Sequence, residues 1–178
     1  MTHFTPIEPD TASGKAAELL TQVQKSLGTT PNMTKAMAHS PTLLKSYLAL
    51  FSAVGTGTLS AAVRARLAIA TAQLNGCEYC LSSHTYIGAS VTKVDAAELE
   101  SARKGQSADP HVDALLKLSN SIAENAGDID EADITAALEA GVTESEIGEL
   151  VANLALNTMT NYFNVMARVD NDWPVVAL

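Results

Sequence analysis

Apolar side chains recur every three or four residues along almost the whole chain, and no segment keeps up an alternation of apolar and polar residues. The first spacing places side chains on one face of a helix, whereas a strand needs a period of two. The breaks between the segments carry helix-start signals. Asp109-Pro110 is an N-cap followed by a first-turn proline, and Thr143 with Glu146 forms a capping box. The pattern predicts an all-α bundle of seven or eight helices joined by short loops.

The length and composition of the chain fit a single domain over residues 1–178. A chain of this size can remove roughly 70% of its unfolded surface from water, so its core needs no disulfide or metal to hold it together. Alanine occupies 29 positions, while aromatic residues make up only 4% of the chain. Because alanine is the strongest helix former, this composition favours helices over sheet.

Charge and hydropathy exclude two classes of partner. The 20 acidic and 11 basic side chains give a net charge of −9, which leaves no broad positive surface for the phosphates of a nucleic acid. The longest strongly apolar stretch, residues 67–72, is far shorter than the roughly 18 residues of a membrane span. Residues 1–6 have neither a basic start nor an apolar run, so we expect no signal peptide and a cytoplasmic protein, whose thiols are kept reduced.

The most informative segment contains both cysteines of the chain, Cys77 and Cys80, followed by His84. In a helix that begins near Cys77, these three residues occupy positions i, i+3 and i+7 and share one face. The free N–H groups and the dipole at the start of a helix stabilise a thiolate over a thiol. With a nearby imidazole, such placement lowers a thiol pKa from about 8.5 to roughly 3.5–7.5. The pattern therefore predicts a reactive dithiol beside a proton acceptor.

Two thiols in this arrangement are suited to thiol redox catalysis, in which one thiolate attacks an O–O or S–S bond and the second thiol closes a disulfide. His84 lies one turn beyond Cys80 and can receive its proton. We therefore assign Cys80 as the attacking sulfur and Cys77 as the resolving sulfur. The reverse assignment stays open, because Cys77 would hold the better position in the field of the helix dipole.

Three other interpretations of the cysteine pair compete with redox catalysis. A structural zinc site needs four ligands, and no second Cys pair or close His follows in the sequence, so we predict no metal. A structural disulfide between residues three apart would close a very short loop and add little stability. Inert core cysteines are the strongest alternative, because free Cys is often a small buried residue. The clustering of both cysteines with His84 on one face argues against that interpretation.

The pattern Cys77-x-Tyr79-Cys80-x-x-x-His84, preceded by Asn75-Gly76, resembles the alkylhydroperoxidase D-like branch of the carboxymuconolactone decarboxylase superfamily. The likeness extends over most of the chain and includes Leu27-Gly28 with Pro31-Asn32-Met33, residues 155–158 running into residues 160–164, and Asp172-Trp173-Pro174. The resemblance implies an all-helical homo-oligomer, commonly a trimer or hexamer. It also implies that the protein reduces a small hydroperoxide through the cysteine pair, takes electrons from an external dithiol and needs no bound cofactor.

One departure from the family pattern affects the proton relay of glutamate, water and histidine that the resemblance implies. The glutamate that usually stands twelve residues before the first Cys is replaced by Ala65, which follows Arg64. A second position, often acidic, is Gln73. Neither side chain can act as a carboxylate base. Since the loss of one general base typically costs a factor of roughly 10² to 10⁴ in rate, we predict a thiol-dependent peroxidase with weak turnover.

Two alternative functions stay open. The first is a carboxymuconolactone decarboxylase-type enzyme, which the cysteine pair disfavours because that reaction would not need paired thiols. The second is a redox-sensing or interaction protein with feeble catalysis, which the missing acid at Ala65 keeps open.

A polar stripe on the last helix is the other notable pattern. Its four asparagines recur at spacings of four, four and three, and they are Asn153, Asn157, Asn161 and Asn164. Buried amides need hydrogen-bond partners. We interpret the stripe as an internal hydrogen-bond ladder to neighbouring helix ends, or as an oligomer interface, in preference to a lining of the thiol pocket together with Tyr162.

Overall fold

The computed structural model describes residues 2–178, and that part of the chain contains nine α-helices and no strand. The predicted domain begins at Met1, which lies outside the described residues. In chain order the helices are α1 (Gly14–Leu27), α2 (Asn32–Met37), α3 (Pro41–Gly55), α4 (Ala61–Leu74), α5 (Glu78–Ser90), α6 (Ala96–Arg103), α7 (Pro110–Glu124), α8 (Glu131–Glu139) and α9 (Glu144–Ala167). The predicted all-α class is confirmed, and the count is slightly above the predicted seven or eight.

Short polar side chains begin several helices, and two of these caps lie at the predicted residues Asp109 and Thr143. The Ser40 hydroxyl accepts a hydrogen bond from the Leu43 N–H at the start of α3. The Asp109 carboxylate accepts from two N–H groups at the start of α7. At the start of α9, Thr143 and Glu146 form the complete capping box. These caps satisfy N–H groups that have no partner inside the first turn of a helix.

Helix α4 lies in the middle of the bundle and packs against α5, α6, α7 and α9. Seven of its residues are buried, and four of these are alanines: Ala65, Ala68, Ala70 and Ala72. A helix buried on several sides cannot be amphipathic, and small side chains let its neighbours approach closely. The abundance of alanine in the chain is therefore explained in part by this central helix.

A two-residue turn, Asn75-Gly76, connects α4 to α5. Gly76 has φ of 63°, a left-handed conformation that glycine adopts without steric cost. The Cys77 N–H then donates to the Ala72 carbonyl oxygen at 2.9 Å, which closes the end of α4. The turn places the first residues of α5 directly against the central helix.

The C-terminal residues 169–178 run back over α5 and α2. Asn171 donates from Nδ2 to the Ser82 hydroxyl at 3.0 Å, and the Val176 N–H donates to the same oxygen at 3.0 Å. The Asp172 carboxylate accepts from the Asn32 N–H at 2.8 Å. These bonds hold the end of the chain on the side of α5 that faces away from the cysteines.

Within residues 2–178, no helix is both long enough and apolar enough to cross a membrane.

Candidate active site

The two cysteines meet at the amino end of α5, where they form a disulfide. Their Cα atoms are 5.4 Å apart. Cys77 is the N-cap residue, and its Sγ accepts a hydrogen bond from the Cys80 N–H at 3.2 Å. Cys77 and Cys80 are only 1% and 2% exposed. The pair is thus held at the positive end of a helix dipole, the place where a thiolate is stabilised.

His84 lies one turn after Cys80 on α5 and is partly buried. Burial lowers the pKa of His84 to about 4, so the imidazole is neutral near pH 7. The hydrogen bonds that reach the two sulfurs within residues 2–178 come from the Cys80 backbone and from α9, not from His84. In the disulfide form, the structure therefore joins Cys77 with Cys80 but leaves His84 without a hydrogen bond to either sulfur.

The side chain that does reach the Cys80 sulfur is Asn164 of α9. Its Nδ2 donates to Cys80 Sγ at 3.1 Å, and the residue is 3% exposed. Its Oδ1 is buried and has no hydrogen-bond partner among the described residues. The asparagine stripe is the sequence signal for this contact, but the role predicted for the stripe lies away from the thiols. At Asn164 that interpretation is wrong.

The remaining asparagines of the stripe have different partners. Asn153 donates to the Glu149 carbonyl oxygen and Asn157 donates to the Asn153 carbonyl oxygen, each at 2.8 Å. Asn161 accepts at Oδ1 from Asn75 Nδ2 at 3.1 Å, which ties α9 to the turn before Cys77. Asn153 and Asn157 therefore bond within α9 and not to a neighbouring helix end, whereas Asn161 reaches the end of α4 as the ladder predicts. The second half of the stripe contacts the elements that carry the cysteines.

The two positions at which the family usually carries acids lie close in sequence to the thiols but offer no base. Ala65 is buried on α4. Gln73 accepts at Oε1 from Arg103 Nε at 2.8 Å, so its oxygen already has a cationic donor. Glu78, the nearest acid in sequence, is exposed. Among the described residues, no carboxylate is hydrogen-bonded to His84 or to a sulfur.

Tyr79, the residue between the cysteines in the motif, anchors α5 to α2. Its hydroxyl oxygen accepts from the Met33 N–H at 3.4 Å. Burial, and next the charge of Asp172, raise the pKa of Tyr79 far above its ordinary value. The phenol is therefore a neutral structural contact that fixes the start of α5.

The described residues contain no group of three or more His, Cys, Asp or Glu side chains placed to hold a metal ion.

Comparison with known families gives a match to the sequence model of the carboxymuconolactone decarboxylase family over residues 41–111. That segment contains α3 to α6 and both cysteines. The match confirms the resemblance that the cysteine motif indicated. No curated protein sequence matches the chain.

Solved structures share the fold over nearly the whole chain. An alkylhydroperoxidase AhpD core protein from Ralstonia eutropha, described as peroxidase-related, has a TM-score of 0.84 at 20% identity and covers 96% of this chain and 92% of its own. A peroxidase-related protein from a Silicibacter species has a TM-score of 0.77 at 21% identity, with coverages of 95% and 91%. A variant of the debrominase Bmp8 bound to 2,3,4-tribromopyrrole has a TM-score of 0.80 at 18% identity, with coverages of 97% and 92%.

Proposed function

We propose that this chain, which carries the carboxymuconolactone decarboxylase family segment on an alkylhydroperoxidase-like fold, is a thiol-dependent peroxidase that reduces organic hydroperoxides. The observation that supports the proposal most strongly is the pairing of Cys77 with Cys80 at the amino end of α5. A pair that can close a disulfide at this position can also supply a thiolate when it is reduced. Such a pair can pass two electrons to a peroxide without a bound cofactor.

In the oxidative half of the cycle, the Cys80 thiolate attacks the terminal oxygen of the hydroperoxide. The S–O bond forms as the O–O bond breaks, so Cys80 becomes a sulfenic acid and the leaving alkoxide takes a proton to give the alcohol. The neutral His84 imidazole, one turn away, carries the thiol proton only transiently, because its pKa is about 4, and passes it on to the alkoxide. Cys77 then attacks the Cys80 sulfur, which releases water and forms the disulfide.

In the reductive half, an external dithiol restores the two thiols. Its thiolate attacks one sulfur of the disulfide, the other sulfur leaves with the electron pair, and the second thiol of the reductant resolves the mixed disulfide. The reductant is oxidised to its own disulfide and supplies two electrons and two protons. Regeneration by a dithiol also fits a cytoplasmic location, where thiols are kept reduced.

The alternative of a redox sensor with feeble catalysis is supported by the surroundings of the pair. Both sulfurs are buried, Ala65 supplies no base, and His84 makes no hydrogen bond to Cys80 in the disulfide form. A sensor would be oxidised by peroxide once and reduced slowly. The turnover number with a dithiol in excess therefore separates the two functions.

The test uses reduced protein, an organic hydroperoxide such as cumene hydroperoxide, and an excess of dithiol. We expect steady consumption of peroxide by the unsubstituted protein, and none above background by Cys77→Ser or Cys80→Ser. The two variants differ in a single-turnover experiment. Cys77→Ser keeps the attacking sulfur and forms about one equivalent of sulfenic acid, whereas Cys80→Ser forms none. Mass spectrometry after trapping with a sulfenic-acid reagent measures this difference.

Circular dichroism of both variants provides the control for folding, because a serine in place of either cysteine leaves the helices intact. Unchanged peroxide consumption in either variant would reject the dithiol cycle. If the protein consumes carboxymuconolactone while its thiols do not react with peroxide, the decarboxylase is favoured instead. Sulfenic acid in Cys80→Ser but not in Cys77→Ser would reverse the roles of the two sulfurs.

A further inference from the structure

The two sulfurs of the pair have different hydrogen-bond donors. Cys77 Sγ accepts from the backbone N–H of Cys80, a contact within the first turn of α5. Cys80 Sγ accepts from Asn164 Nδ2, a side chain that comes from α9, 84 residues along the chain. The second donor depends on the identity of one residue, whereas the first is available to any residue at the N-cap.

The Asn164 amide is an expensive group to bury at this position. Its Oδ1 has no hydrogen-bond partner among the described residues, and a buried acceptor without a donor destabilises the fold. The residue is 3% exposed, so water cannot easily replace the missing donor. An apolar side chain of similar size would avoid that cost. The amide is therefore explained better by its contact with Cys80 than by the stability of the fold.

An N–H group that points at sulfur interacts more strongly with a thiolate than with a thiol or a disulfide. Hydrogen bonds to the charged form of a group favour that form, and low polarity around the group strengthens the effect. Among the described residues, no charged side chain is hydrogen-bonded to Cys80, and the hydrogen bond that its sulfur accepts comes from the Asn164 amide. The contact biases Cys80 toward the thiolate.

We propose that Asn164 is a catalytic hydrogen-bond donor that holds Cys80 as the low-pKa sulfur of the pair. It stabilises the thiolate that attacks the peroxide. It also stabilises the same thiolate as the leaving group when an external dithiol attacks Cys77. The inference rests on the proposed peroxidase only in saying that the thiolate attacks a peroxide. The pKa of Cys80 itself can be measured without peroxide.

The test replaces the amide by an apolar side chain of similar size, Asn164→Leu, in a Cys77→Ser background that leaves Cys80 as the single thiol. The rate of alkylation by iodoacetamide between pH 5 and 10 reports the pKa of that thiol. We expect Asn164→Leu to raise the pKa by about one unit or more, so the thiolate fraction at neutral pH falls about tenfold. Asn153→Leu is the matched control, because Asn153 is equally buried on α9 but bonds only to its own helix.

The stability of the folded protein provides a second readout. If Asn164 had only a structural role, its replacement would lower the stability, whereas the proposal predicts no loss. Since Asn164→Leu removes an unsatisfied acceptor, we expect its midpoint of urea unfolding to equal or exceed that of the parent protein. An unchanged Cys80 pKa in Asn164→Leu, or an equal rise in Asn153→Leu, would overturn the proposal.

A third measurement keeps the proposal testable if Asn164→Leu does not fold. In the reduced chain with both cysteines present, Cys80 must be alkylated at lower pH than Cys77, and the reverse order would overturn the assignment. None of these measurements uses peroxide. A protein that keeps the low Cys80 pKa but consumes no peroxide would contradict the proposed function and leave the role of Asn164 intact.

Discussion

At the scale of single residues, His84 has an unusual environment. It lies partly buried beside an oxidised thiol pair, and the described hydrogen bonds to the sulfurs do not include its imidazole. Burial penalises the imidazolium form, which lowers the pKa of His84 to about 4 from an ordinary value of 6.5. The folded protein therefore binds fewer protons at this site than the unfolded chain does between these two values.

This difference predicts a pH-dependent loss of stability. As the pH falls from about 6.5 to about 4, the unfolded chain takes up a proton that the folded state refuses, so the free energy of unfolding decreases. The decrease is at most about 3 kcal/mol. We expect His84→Gln to lose this part of the pH dependence in urea titrations at pH 7 and pH 4.5. His39→Gln, which replaces an exposed imidazole, should keep it. Equal slopes in all three proteins would contradict the shifted pKa.

The spacing of Cys77, Cys80 and His84 predicts that they share one face, because all three lie on or next to the same helix. The contact from Asn164 could not be predicted in the same way, because it depends on how α9 packs on α5. His3 shows the same limit. Its position near the start of the sequence does not indicate a partner, but its ring hydrogen-bonds to the Met166 carbonyl oxygen and its backbone N–H donates to the Ala167 carbonyl oxygen, at the end of α9.

At the scale of helices and loops, Glu149 of α9 fixes the connection between α3 and α4. Its carboxylate accepts from the Thr58 N–H at 2.7 Å, from the Thr58 hydroxyl at 2.9 Å and from the Leu59 N–H at 2.9 Å. The backbone N–H groups of Thr58 and Leu59 are the main causes that lower the pKa of this carboxyl. The neighbouring Gly57 leaves the space that the carboxylate occupies, because a Cβ there would collide with it.

Two glycine-to-alanine variants separate this role from ordinary helix propensity. Gly57→Ala should displace the Glu149 carboxylate and lower the free energy of unfolding by about 0.5–1.5 kcal/mol, the net contribution of a hydrogen bond whose groups water can reach. Gly148→Ala lies within α9, where a Cβ meets no atom within 4 Å. It should raise the free energy of unfolding by about 0.5–1 kcal/mol. Urea unfolding followed by circular dichroism measures both, and a stabilised Gly57→Ala would show that the carboxylate does not hold this loop.

The helix boundaries were predictable where a capping side chain lies next to the helix that it starts, as Ser40 and Thr143 do. The anchoring of the α3–α4 loop was not, because Glu149 is 91 residues away from Thr58 along the chain. A single sequence contains the local pattern of each helix but does not state which helices are neighbours. Contacts of this second kind determine the surroundings of the thiols.

At the scale of the whole molecule, α9 leaves an apolar stripe uncovered. The residues recur at helical spacing, and they are Val151, Tyr162, Val165 and Met166. Tyr162 is 62% exposed, so it lies on this outer stripe and not beside the thiols. The stripe borders a groove of about 610 Å³ between α9, α7 and α8, which is lined mainly by aliphatic side chains. Contiguous apolar surface of this kind is typical of a protein–protein contact.

We therefore propose that the chain assembles with copies of itself through this stripe, in agreement with the homo-oligomer that the sequence resemblance implies. The net charge of −9 opposes association, so the apolar contact must outweigh a repulsion that salt weakens. We expect the unsubstituted protein to sediment as an oligomer and Tyr162→Glu to sediment as a monomer. Val91→Glu, at an apolar residue that is 68% exposed in the loop after α5, should leave the oligomer unchanged.

Analytical ultracentrifugation at low and high salt measures the assembly, and unchanged helicity in Tyr162→Glu provides the folding control. The stripe and the asparagine row occupy different faces of α9, so loss of the oligomer should leave the contact between Asn164 and Cys80 in place. The Cys80 pKa of Tyr162→Glu should therefore equal that of the parent protein. A monomeric parent protein at both salt concentrations would refute the assembly, while a Cys80 pKa that rises with dissociation would mean that the interface helps to form the thiol site.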